Sequence, residues 1–181
     1  MPRLIGAAQT VTSETQDAVI TTFNSSGTFT AASLTTQATI LVVAGGGGGG
    51  AAYGSGAGAG GYREIADHPV PASGVPVTVG GGGAPGNATG GGAARGTKGA
   101  DSVFGAASPI TSTGGGEGAR GVSGTNTAGG AGGSGGGSNL SSGSAGANKG
   151  AGNTPPTSPS QGNPGGDTFP SGAPTHTGGQ G

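Results

Sequence analysis

The stretch ATILVVAGGGGGG, residues 38–50, decides how this chain is read. Thr39-Ile40-Leu41-Val42-Val43 is a continuous apolar, β-branched run, which predicts a strand buried on both faces. Six glycines, Gly45 to Gly50, follow it at once, and they favour neither a tight turn nor a helix. The rest of the chain has the same character. Glycine is 49 of 181 residues and charged residues 7%, against typical values of about 7% and 25%, and hydrophobic residues other than glycine are 29%. With no Trp, four Phe and two Tyr, a large side-chain core cannot be assembled. Two kinds of chain share this composition: low-complexity disordered ones, and ones ordered by backbone hydrogen bonds in place of side-chain burial. Six Lys/Arg against seven Asp/Glu leave little of the self-repulsion that expands a coil, which favours order.

The same numbers exclude several functions. There is no basic stripe to neutralise phosphates and no polybasic segment for anionic lipid, so neither nucleic acid nor membrane insertion is expected. No apolar run approaches the ~18 residues of a membrane span, and MPRLIGAAQT lacks the apolar stretch of a secretory signal. Without cysteine there is no disulfide framework and no thiolate chemistry.

Outward from the deciding stretch, the chain divides into four segments: 1–17, an N-terminal attachment segment; 18–80, a strand-rich base; 81–152, a glycine-rich lattice; and 153–181, a Pro/Gly-rich tail, linker or set of loops. In the base, Val19-Ile20-Thr21-Thr22-Phe23, the turn signal Asn24-Ser25-Ser26-Gly27 and Thr28-Phe29-Thr30-Ala31 read as a hairpin. Tyr62–Ile65 and Val75–Val79 read as further strands. Pro76, lacking an N–H, places the latter at a sheet edge or puts the proline among the strand's first residues. No window has helical periodicity, so no α-helix is expected.

Beyond Gly80 glycine alternates with small polar residues, with spacings of three at Gly118/Gly121/Gly124 and Gly130/Gly133/Gly136. Gly114-Gly115-Gly116 and Gly135-Gly136-Gly137 break the unbroken frame that collagen requires. The remaining ordered option is a bundle of polyproline-II-like runs, with three residues per turn and every backbone N–H and C=O directed outward to neighbouring runs. The expected fold is therefore mainly β with a glycine-rich polyproline-II-like sandwich and no α-helix.

Chemical motifs are sparse. Gly45-x-Gly47-x-x-Gly50 and Gly56-x-Gly58-x-x-Gly61 imitate a dinucleotide fingerprint, but AAYGSGAGAGG cannot supply the helix N-terminus that holds a pyrophosphate. Gly91-x-x-x-x-Gly96 is followed by Thr97-Lys98, not the Lys-Ser/Thr of a P-loop. His68 and His176 lack a partner set and read as exposed loop residues. Asn24-Ser-Ser, Asn87-Ala-Thr and Asn139-Leu-Ser match the glycosylation pattern but read as chance. No enzyme, cofactor or metal is expected. Tyr53 and Tyr62, flanking GSGAGAGG, suit either stacking on a sugar ring or covering the sheet's end. Arg95, Lys98, Arg120 and Lys149 read as solvated loop charges.

Taken in order, SSGTFT (25–30), ATILVVAGGGGGG, GAGGYRE, VPVTVGGGGAPGN, GADSVFG and GGGEGARG form a series that resembles the glycine-rich domain of bacteriophage tail-fibre and tail-tip adhesin proteins, over about residues 19–137. The resemblance implies stacked glycine-rich runs that display variable loops to a host receptor. On it rest the following expectations: a virion location; attachment to other tail or fibre proteins through the N-terminal part; recognition of a surface glycan or outer-membrane protein; and a homo-oligomer, a trimer by preference. The candidate contact residues are Tyr53, Tyr62, Asn139, Leu140 and Lys149, and the candidate loops are 106–113, 138–149 and 155–177. Only about 17 residues precede the expected hairpin, where a fibre of this kind would carry a shaft. The competing readings are a non-receptor virion component (head fibre, capsid decoration or tail-assembly protein) and an extracellular glycine-rich or ice-binding-like protein.

Overall fold

A computed structural model of the chain describes residues 19–52, 54–87, 94–106, 108–121, 127–139 and 149–167. Among them are six strands and no helix: β1 (Gly27–Phe29), β2 (Gln37–Val43), β3 (Tyr62–Pro69), β4 (Val75–Thr78), β5 (Ser102–Phe104) and β6 (Ile110–Ser112). They make two antiparallel sheets, one of four strands in the order β1-β4-β5-β6 and one of β2 and β3. Residues directly opposite in an antiparallel ladder share a face. Phe29 opposes Val75, and Val77, Phe104 and Ile110 form a row across three strands. This face meets Ile40 and Val42 of β2, with Val70 closing the cluster and Phe29 and Phe104 stacked 5.8 Å apart.

Two strand expectations are corrected, and of the two places open to Pro76 the structure takes the second, among the first residues of its strand. Residues 19–23 form no strand; Val19 and Ile20 are about nine-tenths exposed, and β1 pairs with β4, 46–50 positions later in sequence, because that register carries Phe29 into the core beside Val75. The expected hairpin does not form. β2 is buried on one face only: Ile40 and Val42 point inward, while Leu41 and Val43 are 56% and 53% exposed. The β2–β3 sheet has one covered side, so an apolar run does not by itself mean two. β4 is an interior strand, with Pro76 at its second position.

β3 extends past the expected Ile65 through a bulge. Ala38 opposes His68 and Ile40 opposes Ile65, so Ala66 and Asp67 face the single residue Thr39, with Asp67 at φ 51°. The extra residue reverses the inward parity of the strand: Arg63 and Ile65 point in before it, His68 and Val70 after it. His68 is therefore no loop residue. It is half-buried, edge-on to Phe104 at 6.0 Å.

At Ala44 the ladder gives way to the glycine lattice, whose bonds recur every third residue. Along the run 44–51, the N–H groups of Ala44, Gly47 and Gly50 donate to the carbonyls of Gly61, Gly58 and Ser55, on a return run (54–61) of opposite direction. Those of Gly45, Gly48 and Ala51 donate to Ala100, Thr97 and Ala94, on another antiparallel run (94–101). The carbonyls of Gly45, Gly48 and Ala51 accept from Gly115, Gly118 and Gly121, and those of Gly46 and Gly49 from Gly83 and Gly86. One extended run is thus bonded to four neighbours, as a three-residue-per-turn helix without internal bonds allows. Sheets and lattice both draw on residues from either side of Gly80.

The six-glycine run now has a specific reading. A Cβ on Gly45, Gly47, Gly48 or Gly50 would lie closer than 3.0 Å to the backbone of a neighbouring run, whereas one on Gly46 or Gly49 would sit at 3.8 or 3.7 Å, an ordinary contact. Two of the three columns need glycine and the third does not. A few buried side chains pin the lattice. Ser55 donates to the Gly137 carbonyl and accepts from Ala119 N–H. Gln161, 2% exposed, accepts from Thr113 N–H at 2.8 Å and donates to the Pro155 carbonyl at 2.9 Å. Asn153 Oδ1 takes the Thr157 N–H and hydroxyl, folding 153–161 into a compact loop. Residues 153–167 are thus packed onto the lattice and are no free tail; the expected attachment segment 1–17 and the end of the expected tail, 168–181, lie outside the described residues.

Candidate functional site

The lattice has two unlike ends. The first run leaves β2, so the sheets form one end. At the other, distal end the runs stop and the chain reverses: between Ala51 and Gly54, Asn87 and Ala94, Gly121 and Thr127, and Asn139 and Lys149, with Asp167 the last described residue. Bonds between these stems place them together. Gly121 N–H donates to the Ala51 carbonyl, Ala94 N–H to Asn87, and Ser138 N–H to Gly166. Thr127 and Asn139 exchange N–H···O bonds of 3.2 and 3.1 Å in an isolated antiparallel bridge.

Two ion pairs take their cations from stems at this end. Arg95 Nη2 is 3.3 Å from Glu117 Oε1, and the same guanidinium donates to the Ala128 carbonyl. Lys149 Nζ is 2.6 Å from Asp167 Oδ2. Arg95 and Lys149 are therefore not isolated loop charges. Glu117 and Asp167 were not singled out from the sequence, because nothing in a glycine-rich stretch signals which remote carboxylate will face a given cation.

The sequence candidates divide between the ends. Asn139 and Lys149 are distal. Tyr62 is at the opposite end, on the outward face of β3; the eight lattice residues 54–61, about 25 Å of extended run at ~3.1 Å each, separate it from the distal end. Tyr53 and Leu140 lie outside the described residues. Tyr62 is 51% exposed and lies opposite Val43, with Glu64 opposite Leu41. Its hydroxyl donates to Glu64 Oε2 at 2.8 Å. That bond first, then burial and the carboxylate's charge, raises the phenol above its ordinary range. Of the candidate loops, 106–113 is placed at the sheet end, where its last residues form β6 and Ile110, Ser112 and Thr113 are buried. Among the described residues there is no group of three metal-ligating side chains, and no helix is long and apolar enough to cross a membrane.

Fold and site together define a mainly β protein whose sheets lead into a backbone-bonded glycine lattice with chain reversals at its far end. A sequence model of the glycine-rich domain matches residues 21–181, and the chain belongs to this family. No curated protein and no solved structure matches it.

Proposed function

We propose that this chain is a virion surface protein, a phage tail fibre or tail-tip adhesin that meets a host-cell receptor with the distal end of its lattice. The observation that carries this reading is the collection of four reversals and the outgoing Asp167 at one end of a stiff scaffold, opposite the sheets. Runs joined by backbone bonds do not depend on which residues occupy the reversals, so the reversals are free to vary for recognition. Their sequences, such as VSGTN (122–126) and LSSGSAGAN (140–148), are rich in hydroxyls and amides, which suit a surface glycan or the polar loops of an outer-membrane protein. The sheet end, with the N-terminal part, attaches to other tail or fibre proteins, as a homo-oligomer with a trimer preferred.

A second reading is a non-receptor component such as a head fibre, capsid decoration or tail-assembly protein. The exposed Leu41, Val43 and Tyr62 on the outer face of β2–β3 favour it, since such a face suits burial against another particle protein. Labelling native particles with antibody to residues 19–80 separates the two. Label at the tail tip, together with a host-range change on exchanging 140–148, supports the adhesin; label on the head or along the tail favours the second reading and removes receptor binding as the primary role.

A further inference from the structure

The geometry points to the pairs Arg95–Glu117 and Lys149–Asp167 as clamps that hold the stems of the distal reversals in fixed relative position, and so as positioning residues for recognition at that end. The inference rests on the adhesin reading for its consequence, but not for its geometry.

The lattice is bonded through its backbone and needs no charge, and the chain has only thirteen charged residues (Lys+Arg 6, Asp+Glu 7). Among the described residues both ion pairs nevertheless take their cation from a stem beside a distal reversal, Arg95 and Lys149, with Glu117 reaching Arg95 from four residues inside its run. The first joins stems of two different reversals, and the second joins the stem of one reversal to the outgoing run that ends at Asp167. Arg95 follows segment 88–93, and Glu117 and Ala128 bracket 122–126, so one guanidinium ties two reversals. Lys149 follows 140–148 and Asp167 precedes 168–181. The Thr127–Asn139 bridge connects the two clamped sets.

Gly130 supplies an independent sign that the first pair is built in. The three atoms nearest to a Cβ there would all belong to the Glu117 carboxyl group, each closer than 3.0 Å. Glycine at 130 leaves open the space through which Glu117 reaches Arg95. Both pairs are partly exposed, with side-chain accessibilities of 40% and 22%, and 40% and 37%. Such pairs add little to global stability, so their effect is expected in the geometry of the stems and not in the melting temperature.

The test compares the full chain with Glu117→Gln, Gly130→Ala and Asp167→Asn, and with the exchanged pair Lys149→Asp plus Asp167→Lys. Gly130→Ala displaces the Glu117 carboxylate while leaving every charge on the chain. Amide hydrogen exchange is read at Thr127, Asn139 and Gly150, with Ala44 and Gly61 at the sheet end as lattice controls, alongside binding to host cells. Each single variant is expected to speed exchange at the stems nearest it by ~10-fold, leave the controls unchanged, move Tm by less than ~4 °C and weaken cell binding ~3–10-fold. The exchanged pair should restore slow exchange at the stems that Asp167→Asn loosens. Unchanged stem exchange in all three variants overturns the clamp whatever the receptor. Faster stem exchange with cell binding intact overturns the positioning role. A wild-type chain that binds no host cell, with stem exchange still faster in the variants, sinks the adhesin reading and leaves the clamps standing.

Discussion

The sheets and the lattice are one chain stabilised in two ways. In the sheets, Ile40, Val42, Val75, Phe104 and Ile110 are buried, and the ladder positions them. In the lattice the fully buried side chains among the described residues are small, as at Ala119 and Ser138, and the interior is amide bonded to amide. Burial of apolar surface contributes roughly in proportion to area and tolerates small changes in shape. An amide lattice gains about 0.5–1.5 kcal/mol net per bond, against ~1–2 kcal/mol of backbone entropy per ordered residue. It cannot form one run at a time. Its stability is collective, with the sheet end fixing where the first run starts.

The sharpest test lies within the six glycines. Gly48→Ala places a methyl group against the Ala84 carbonyl and is expected to cost at least ~4 kcal/mol or to prevent folding. Gly46→Ala, two residues away with its nearest neighbour at 3.8 Å, is expected to be neutral or to stabilise by ~0.4–1 kcal/mol through the unfolded chain. Thermal unfolding of both variants decides the matter, and equal effects would break the column assignment. In the sheets, Phe104→Ala removes the ring that contacts Phe29 and His68 and should cost ~3–5 kcal/mol by denaturant titration. Gln161→Ala tests a point where a side chain serves the lattice. It strands the buried Thr113 N–H and should cost ~1–3 kcal/mol, with little loss if water replaces the amide.

The smallest effect concerns Tyr62. Its phenol is held above the ordinary range by the bond to Glu64. A group raised in the folded state contributes stability below its unfolded pKa, and loses that contribution as pH rises through the folded value. Ultraviolet titration of a Tyr53→Phe background should show one tyrosine ionising late. Adding Glu64→Gln should bring it back towards ordinary behaviour, and an unmoved midpoint would remove Glu64 as the cause.

Much of this architecture was legible from residue pattern. The runs of extended backbone, the absence of helix among the described residues and strands at Tyr62 and Val75 all follow from propensity and periodicity. What was not legible depended on distance along the chain. Val19–Phe23 has the composition of a strand, yet Phe29 finds its partner at Val75, and no local signal favours that pairing over a hairpin. Leu41 and Val43 look buried because β-branched and apolar residues also serve the open face of a two-stranded sheet. The three-residue period was hidden in Gly45–Gly50 because Gly46 and Gly49 are glycine without needing to be. At the distal end, Lys149 was visible as a cation, but Asp167, the carboxylate it faces, was not.

The bonding repeat also sets how such a molecule can change its size. One turn is about 9 Å of run, and the facing columns return only after whole turns. Inserting one residue rotates everything beyond it by a third of a turn and turns the one methyl-tolerant column into a crowded contact; inserting three restores the alignment one step further out. Length is therefore quantised, and neighbouring runs must lengthen together. The scaffold behaves as a ruler with fixed graduations, whose end can be moved outward without altering what it carries.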